Sequence, residues 1–357
     1  MSDQQAFESS ADRPAAGKVP SCQSAKPAEF RISRRELLVV GAAAMGLAGS
    51  IVYQESRRPK APVFIVRNQS YAGDLERTIA DGLVAVGLDT ADLAGRKVLL
   101  KPNFVEPTRT APHMTTHPAM IVATAEVFRR WGAEVVVGEG PGHVRDTEMI
   151  LAESGAAEPL ADARLNYIDL NYDDVGWVKN VSRVSPLPGL YFPQTVLQAD
   201  LVVSMPKLKT HHWVGLTAAM KNLYGLLPGI KYGWPKNVLH HAGIPQTVVD
   251  INASVKKTIT VIDAIDCMEG DGPIMGSLKP MGLVIIGTNL AAADATCARI
   301  MGLNPAAISY LQLADRIGPI AERRIVQRGE RWQDVASPFE MLDVPHLRGL
   351  RGGELVS

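Results

Sequence analysis

Short apolar, β-branched runs alternating with amphipathic stretches constrain this chain more than any other feature of its sequence. Val63-Phe64-Ile65-Val66, Lys97-Val98-Leu99-Leu100, Ala133 to Val137, Leu201-Val202-Val203-Ser204, Ile259 to Ile262 and Leu283 to Ile286 each predict a strand. Leu75 to Val86, His117 to Trp131 and Ala291 to Met301 predict helices, the first with apolar residues at Leu75, Ile79, Leu83 and Val86. Strands that are apolar throughout and separated by helices predict an α/β fold, a mainly parallel sheet covered by helices. Residues 171–195, with Trp177, Val178, Pro186 and Pro188, read as a β-rich insertion.

The residues that follow the strands carry the chemistry. Lys101-Pro102-Asn103 follows the second strand and Gly138-Glu139-Gly140-Pro141-Gly142 the third. Pro206-Lys207-Leu208-Lys209-Thr210-His211-His212 follows the fourth, and Asp263 with Glu269-Gly270-Asp271-Gly272-Pro273 the fifth. Ligands of parallel α/β sheets bind beyond the carboxyl ends of the strands, so a site is expected on that edge. Lys207, Lys209 and His211 share a parity in an extended segment. Lys221 stands four residues after Thr217, on one face of a helical stretch that ends at Asn222. Lys101, Lys207, Lys209 and Lys221, with Asn103, Thr210 and Asn222, are therefore the candidates for binding a small carboxylate or phosphate. The alternative is four solvated surface lysines.

Histidines form two doublets, His211-His212 and His240-His241, with His117 and His143 upstream. His211 and His240 are candidate proton carriers, and Lys221 or Lys207 a nucleophile if burial lowers its pKa. No spacing commits the histidines to a metal, but a divalent ion held with Glu139, Asp263 or Glu269 is a second expectation. The glycine segment misses the dinucleotide fingerprint because His143 stands where the third glycine belongs. Neither a phosphate loop nor a Gly-x-Ser-x-Gly elbow is present. Trp213 and Trp234 are expected to pack rather than to stack on a ligand.

Lys+Arg and Asp+Glu balance at 37 each, so no global field draws the chain to nucleic acid or to an acidic membrane. Attraction for an anion has to be local. The three cysteines, Cys22, Cys267 and Cys297, form no close pair, so no iron–sulfur motif is visible. Cys267 and Cys297 are expected as two buried thiols, with pairing as the alternative.

Residues 1–30 read as a disordered N-terminus. Ser33-Arg34-Arg35-Glu36-Leu37-Leu38 opens a weakly apolar, uncharged run after Glu36 that extends to Tyr53. Residues 31–56 thus resemble a twin-arginine signal, with residues 37–53 able to serve as a membrane anchor. Such a leader implies engagement of the twin-arginine translocase and a periplasmic or otherwise extracytoplasmic location. The α/β domain is expected at 61–320 and a C-terminal extension at 321–357.

Lys101-Pro102-Asn103, Thr116-His117-Pro118, Gly138-Glu139-Gly140, Pro206 to His211, Lys221-Asn222 and Met268 to Pro273 together resemble the family catalogued as domain of unknown function 362. Asp294 resembles that family's late aspartate. The resemblance implies a shared site at these motifs and brings no established reaction. Many relatives carry an appended cluster domain with closely spaced cysteines, a motif not found in this sequence. Three readings follow: an enzyme acting on a small anion, a non-catalytic carrier of an anion or metal, and a redox accessory protein with a separate cluster-bearing partner.

Overall fold

The computed structural model describes residues 59–106 and 108–351. The expected leader, its apolar run and Cys22 lie outside them. Among the described residues no helix is long and apolar enough to cross a membrane.

Twelve strands are formed among the described residues: β1 (Ala61–Val66), β2 (Lys97–Lys101), β3 (Glu134–Glu139), β4 (Tyr167–Asp169), β5 (Val175–Lys179), β6 (Gly189–Pro193), β7 (Leu201–Ser204), β8 (Lys207–His211), β9 (Gly215–Thr217), β10 (Thr258–Glu269), β11 (Ser277–Gly287) and β12 (Ile325–Gly329). The main sheet runs β12-β1-β11-β10-β7-β2-β3-β4, with β8 and β9 attached beside β10. Along that order only β11 is antiparallel to its neighbours, β1 and β10. The fold is α/β with a mostly parallel central sheet. β5 and β6 form a separate antiparallel hairpin within the expected insertion.

Two expectations need correction. The boundary at 320 does not end the domain: β12 pairs in parallel with β1, and Phe339, Leu347 and Leu350 are buried in the main core. The fifth strand runs well past Ile262, because a register irregularity between Ala264 and Asp266 lets β10 bend and continue to Glu269.

Side-chain alternation explains the two covered faces. Leu99, Val202, Ile262 and Ile285 point into one core, and Val98, Leu100, Val203, Val261 and Ile286 into the other. Each such side chain contributes about 1.5–3 kcal/mol on burial. Helices α1 (Leu75–Ala85) and α2 (Pro118–Arg130) cover the second face, and α3 (Ile244–Ser254) and α4 (Leu290–Ile300) the first. The Asp74 side chain caps α1 by accepting from Arg77 N at 3.1 Å. Gly82 lets α1 approach the sheet, since a Cβ there would stand 2.5 Å from Ile286 and 2.7 Å from Phe64. Cys267 and Cys297 are buried free thiols.

The hairpin is tied to the body by Asp250 of α3. This fully buried carboxylate accepts from Asn180 Nδ2 (2.7 Å), Ser185 N (2.8 Å), Val184 N (3.0 Å) and the Ser182 hydroxyl. Burial raises its pKa, but these donors outweigh that effect and leave it lowered. Asp250→Ala strands several buried donors, and we expect a loss of about 3–5 kcal/mol in urea unfolding. The lowered pKa also means that Asp250 contributes stability above its unfolded pKa, and that this is lost as pH falls through the folded value. An unchanged urea midpoint in Asp250→Ala would show that the hairpin does not depend on this residue.

Candidate functional site

β3, β2, β7 and β10 are parallel neighbours, so their carboxyl ends lie side by side. Lys101 ends β2 and Glu139 ends β3. After β7, Pro206 leads into β8, which pairs with β10 and folds back on β9. A helical turn, Ala219–Asn222, and the turn that follows it close over this edge. They leave a cavity of about 120 Å3 whose lining includes Lys101, Asn103, Glu139, Lys209, His211, Lys221, Asn222 and His240.

The floor of the cavity is an ion pair. Lys101 Nζ donates to Glu139 Oε2, to Asn222 Oδ1 at 2.8 Å and to Pro102 O at 2.7 Å. Asn222 Nδ2 donates back to Lys101 O at 3.0 Å and to Ser204 Oγ at 3.1 Å. Glu139 also accepts from Gly140 N (2.9 Å) and Phe104 N (3.3 Å). Burial lowers the Lys101 pKa, and Glu139 opposes that shift. Gly225 packs against the pair: a Cβ there would lie 1.9 Å from Glu139 Oε1 and 2.5 Å from Lys101 Nζ.

Three further lysines line the cavity with no ion-pair partner among the described residues. Lys209 is fully buried and donates to Met114 O at 2.7 Å. Burial, then the charges of Lys207, Lys221 and Lys101, hold its pKa well below the ordinary lysine range. Lys221 is half-buried, with Nζ 4.0 Å from the centroid of the Tyr224 ring. Burial and Lys101 bring it to about 7. Lys236, also brought to about 7 by burial, donates to Leu227 O from a backbone at φ +68°. Asn103 Oδ1 and Thr217 Oγ1 are buried in the same lining without a hydrogen-bond partner.

Burial favours the neutral form of His211 and His240. His211 Nδ1 accepts from Trp213 N at 3.1 Å, which leaves the proton on Nε2. Burial, then Lys221, His212 and Lys209, push its pKa well down. Burial and Lys221 take His240 to about 4. Its ring packs 5.1 Å from Trp213 and 6.0 Å from Tyr224, centroid to centroid. Trp213, expected to pack rather than to stack on a ligand, lies against His240 on the rim and is 49% exposed.

Four expected site residues stand elsewhere. Lys207 lies directly opposite Asp263 in the β8–β10 register, and the two buried side chains pair at 2.6 Å. Asp263 also accepts from Tyr71 OH at 3.0 Å and His117 N at 2.9 Å. Thr210 has the other parity and donates to Gly270 O at 2.9 Å. Glu269 pairs with Lys279 at 3.3 Å and accepts from Glu340 N at 2.9 Å. Glu139, Asp263 and Glu269 therefore sit in three separate ion pairs. Among the described residues no group of three or more His, Cys, Asp or Glu side chains is arranged to hold a metal. Lys236 and Gly225 were not legible as site residues: the first sits outside any strand end, the second in an apolar turn.

Asp294 of α4 acts from behind the site. Its Oδ2 accepts from Met220 N at 3.1 Å and Tyr310 OH at 2.8 Å, which positions the turn bearing Lys221 and Asn222. Burial raises its pKa to about 7, against the pull of those hydrogen bonds.

The fold and cavity define an α/β protein with a cationic pocket at the strand carboxyl ends. Residues 98–299 match the family described as Domain of unknown function (DUF362), and the chain belongs to that family. It is 27% identical over 262 residues to the thylakoid-associated protein sll1697 of Synechocystis sp., covering 72% of this chain and 79% of that one. The structure of the lactate racemase apoprotein from Thermoanaerobacterium thermosaccharolyticum aligns with 68% of this chain at a TM-score of 0.42 and 14% identity. The chain spans only 57% of that protein's length, and the likeness informs neither ligand nor reaction here.

Lys101→Met leaves Glu139 charged and buried, and we expect a loss of about 3–5 kcal/mol. The double variant Lys101→Met/Glu139→Gln should recover part of it in the same urea titration. Additive losses would refute the coupling.

Proposed function

We propose that the cavity binds a small carboxylate- or phosphate-bearing anion, and that the protein is an enzyme transforming it by proton transfer through His211 and His240. Lys209, Lys221 and Lys236, three amines without ion-pair partners among the described residues, around two unbonded buried polar atoms, are the observation that carries this reading. A buried ammonium lacking a counter-charge is costly, and a bound anion supplies one. Asn103 and Thr217 offer the remaining hydrogen bonds. Neutral His240 can accept a proton and return it, and His211, whose Nδ1 is taken by Trp213 N, can donate from Nε2. Export completes the proposal: the leader at 31–56 takes the folded chain through the twin-arginine translocase to an extracytoplasmic compartment.

The pH dependence follows from the lowered lysine pKa values. Between about 7 and the ordinary lysine range the unfolded chain holds more protons, so the unliganded protein gains stability as pH rises through that window. Anion binding has the opposite sign, because it needs the protonated amines. With sulfate, phosphate or a small carboxylate as probe, thermal stabilisation should be largest near pH 6 and fade as pH rises past 7. At a hundredfold excess over Kd it amounts to about 2.7 kcal/mol. Lys209→Met and Lys221→Met should each weaken binding by about 1.5–3 kcal/mol. Equal shifts in wild type and both variants would overturn the reading, and tight binding without turnover would favour a carrier. Arg34→Lys/Arg35→Lys should retain a cell-fractionation reporter in the cytoplasm, and undiminished export of that variant would remove the export half.

A further inference from the structure

Lys221 differs from the buried lysines in and beside the cavity. Lys101 is engaged by Glu139 and Asn222, Lys207 by Asp263 and Tyr71, Lys209 by Met114 O and Lys236 by Leu227 O. Lys221 has neither a hydrogen bond nor an ion pair among the described residues. Its amine rests 4.0 Å from the centre of the Tyr224 ring, on the wall of the cavity. That ring is fixed, because its hydroxyl bonds to Thr247 Oγ1. The ring face attracts the ammonium form, but it takes no hydrogen bond from the amine and brings no counter-charge, so the contact places the amine without tying it up. An amine meant to react needs its lone pair free and a defined place on the cavity wall, and Lys221, unbonded and set against the Tyr224 ring, has both. The pKa of about 7 agrees, since it leaves a large fraction unprotonated at neutral pH.

An unprotonated amine attacks a carbonyl carbon without a metal or an activated leaving group. The surrounding lysines select a carbonyl compound that carries negative charge. We propose that Lys221 forms an imine with the carbonyl of a small oxo acid whose carboxylate is held by Lys209 and Asn103. This rests on the anion-binding reading above and deepens it by naming the substrate class. The amine adds to the carbonyl carbon, forming the C–N bond as the C=O π electrons move to oxygen. The proton released when the ammonium becomes the free amine and one proton from the adduct nitrogen both pass to that oxygen, which departs as water while the nitrogen lone pair forms the C=N bond and one proton stays on nitrogen. Oxo acid and ammonium thus give a protonated imine and water, with no net oxidation and no external reagent. His240 is the neutral imidazole suited to that proton transfer, its ring 6.0 Å from the same Tyr224 ring.

The test uses the full chain at pH 7.5 with pyruvate and 2-oxoglutarate as probes and sodium cyanoborohydride as trap, read by intact mass and peptide mapping. A lysine with a pKa near 7 has several hundredfold more free amine at that pH than an ordinary one, so labelling should favour Lys221 by about a hundredfold. Lys221→Arg should lose the adduct, and His240→Gln should form it several-fold more slowly. Mapping on the wild-type chain decides the matter even if Lys221→Arg does not fold. Label spread over surface lysines, or concentrated on Lys209 or Lys236, overturns the proposal. No adduct alongside intact thermal stabilisation by sulfate or phosphate rejects the imine and leaves the anion site standing. Absence of both rejects the two readings together.

Discussion

A charged amine taken out of water loses several kcal/mol of solvation, and the edge of this sheet is organised around one that recovers it. Lys101 ends β2 beneath the cavity, and its ammonium meets Glu139, Asn222 and a carbonyl in one buried cluster. Those contacts join the ends of β2 and β3 to the turn after Ala219–Asn222. Asn222 is bonded in both directions, so the turn cannot drift without stranding polar groups. Gly225 completes the packing because the pair leaves no room for a side chain. The positions of Lys221 and Tyr224 are inherited from this arrangement.

Against that paired lysine, the unpaired ones stand out as a cost the fold does not recover by itself. Lys209 is as buried as Lys101 but has only a carbonyl to bond. Charge repulsion among Lys209, Lys207, Lys221 and Lys101 adds to its desolvation. A sequence selected for stability alone would place an apolar residue or a carboxylate there. Local conflicts of this kind collect at functional sites, where a ligand resolves them. The neutral histidines belong to the same balance, since protonating them would add charge to a cavity that already carries too much.

Much of this was legible in the chain because it rests on short-range rules. Strand and helix positions follow from apolar periodicity, and Lys101, Glu139, Lys209 and His211 follow from being at or beyond parallel strand ends. Lys221 and Asn222 share a helical turn. Tertiary pairing decides the rest. Parity placed Lys207 with Lys209, but the residue opposite it across β8–β10 is Asp263, and a buried acid captures a buried amine. Glu269 is likewise taken up by Lys279 of the neighbouring β11, at a half-buried position. Lys236 enters from a loop in a left-handed backbone conformation, which no periodic pattern marks. β12 was read as an appended tail because its partner, β1, lies more than two hundred and fifty residues earlier in the chain.

Asp294 links the core to the chemistry. It lies on α4, fully buried, and is not in the lining of the lysine-bearing cavity. A charged carboxylate there would compete with Lys221 and its neighbours for the local field, yet burial raises its pKa to about 7, so that at mildly acidic pH it is a neutral acid. A neutral acid can still accept from Met220 N and hold the turn in place. It does so without supplying the counter-charge that would turn Lys221 into another ion pair. With Asp294 behind the backbone and Glu139 taken up by Lys101, neither acid pairs with the Lys221 amine, which stays unpaired among the described residues, the state that either anion binding or covalent chemistry requires.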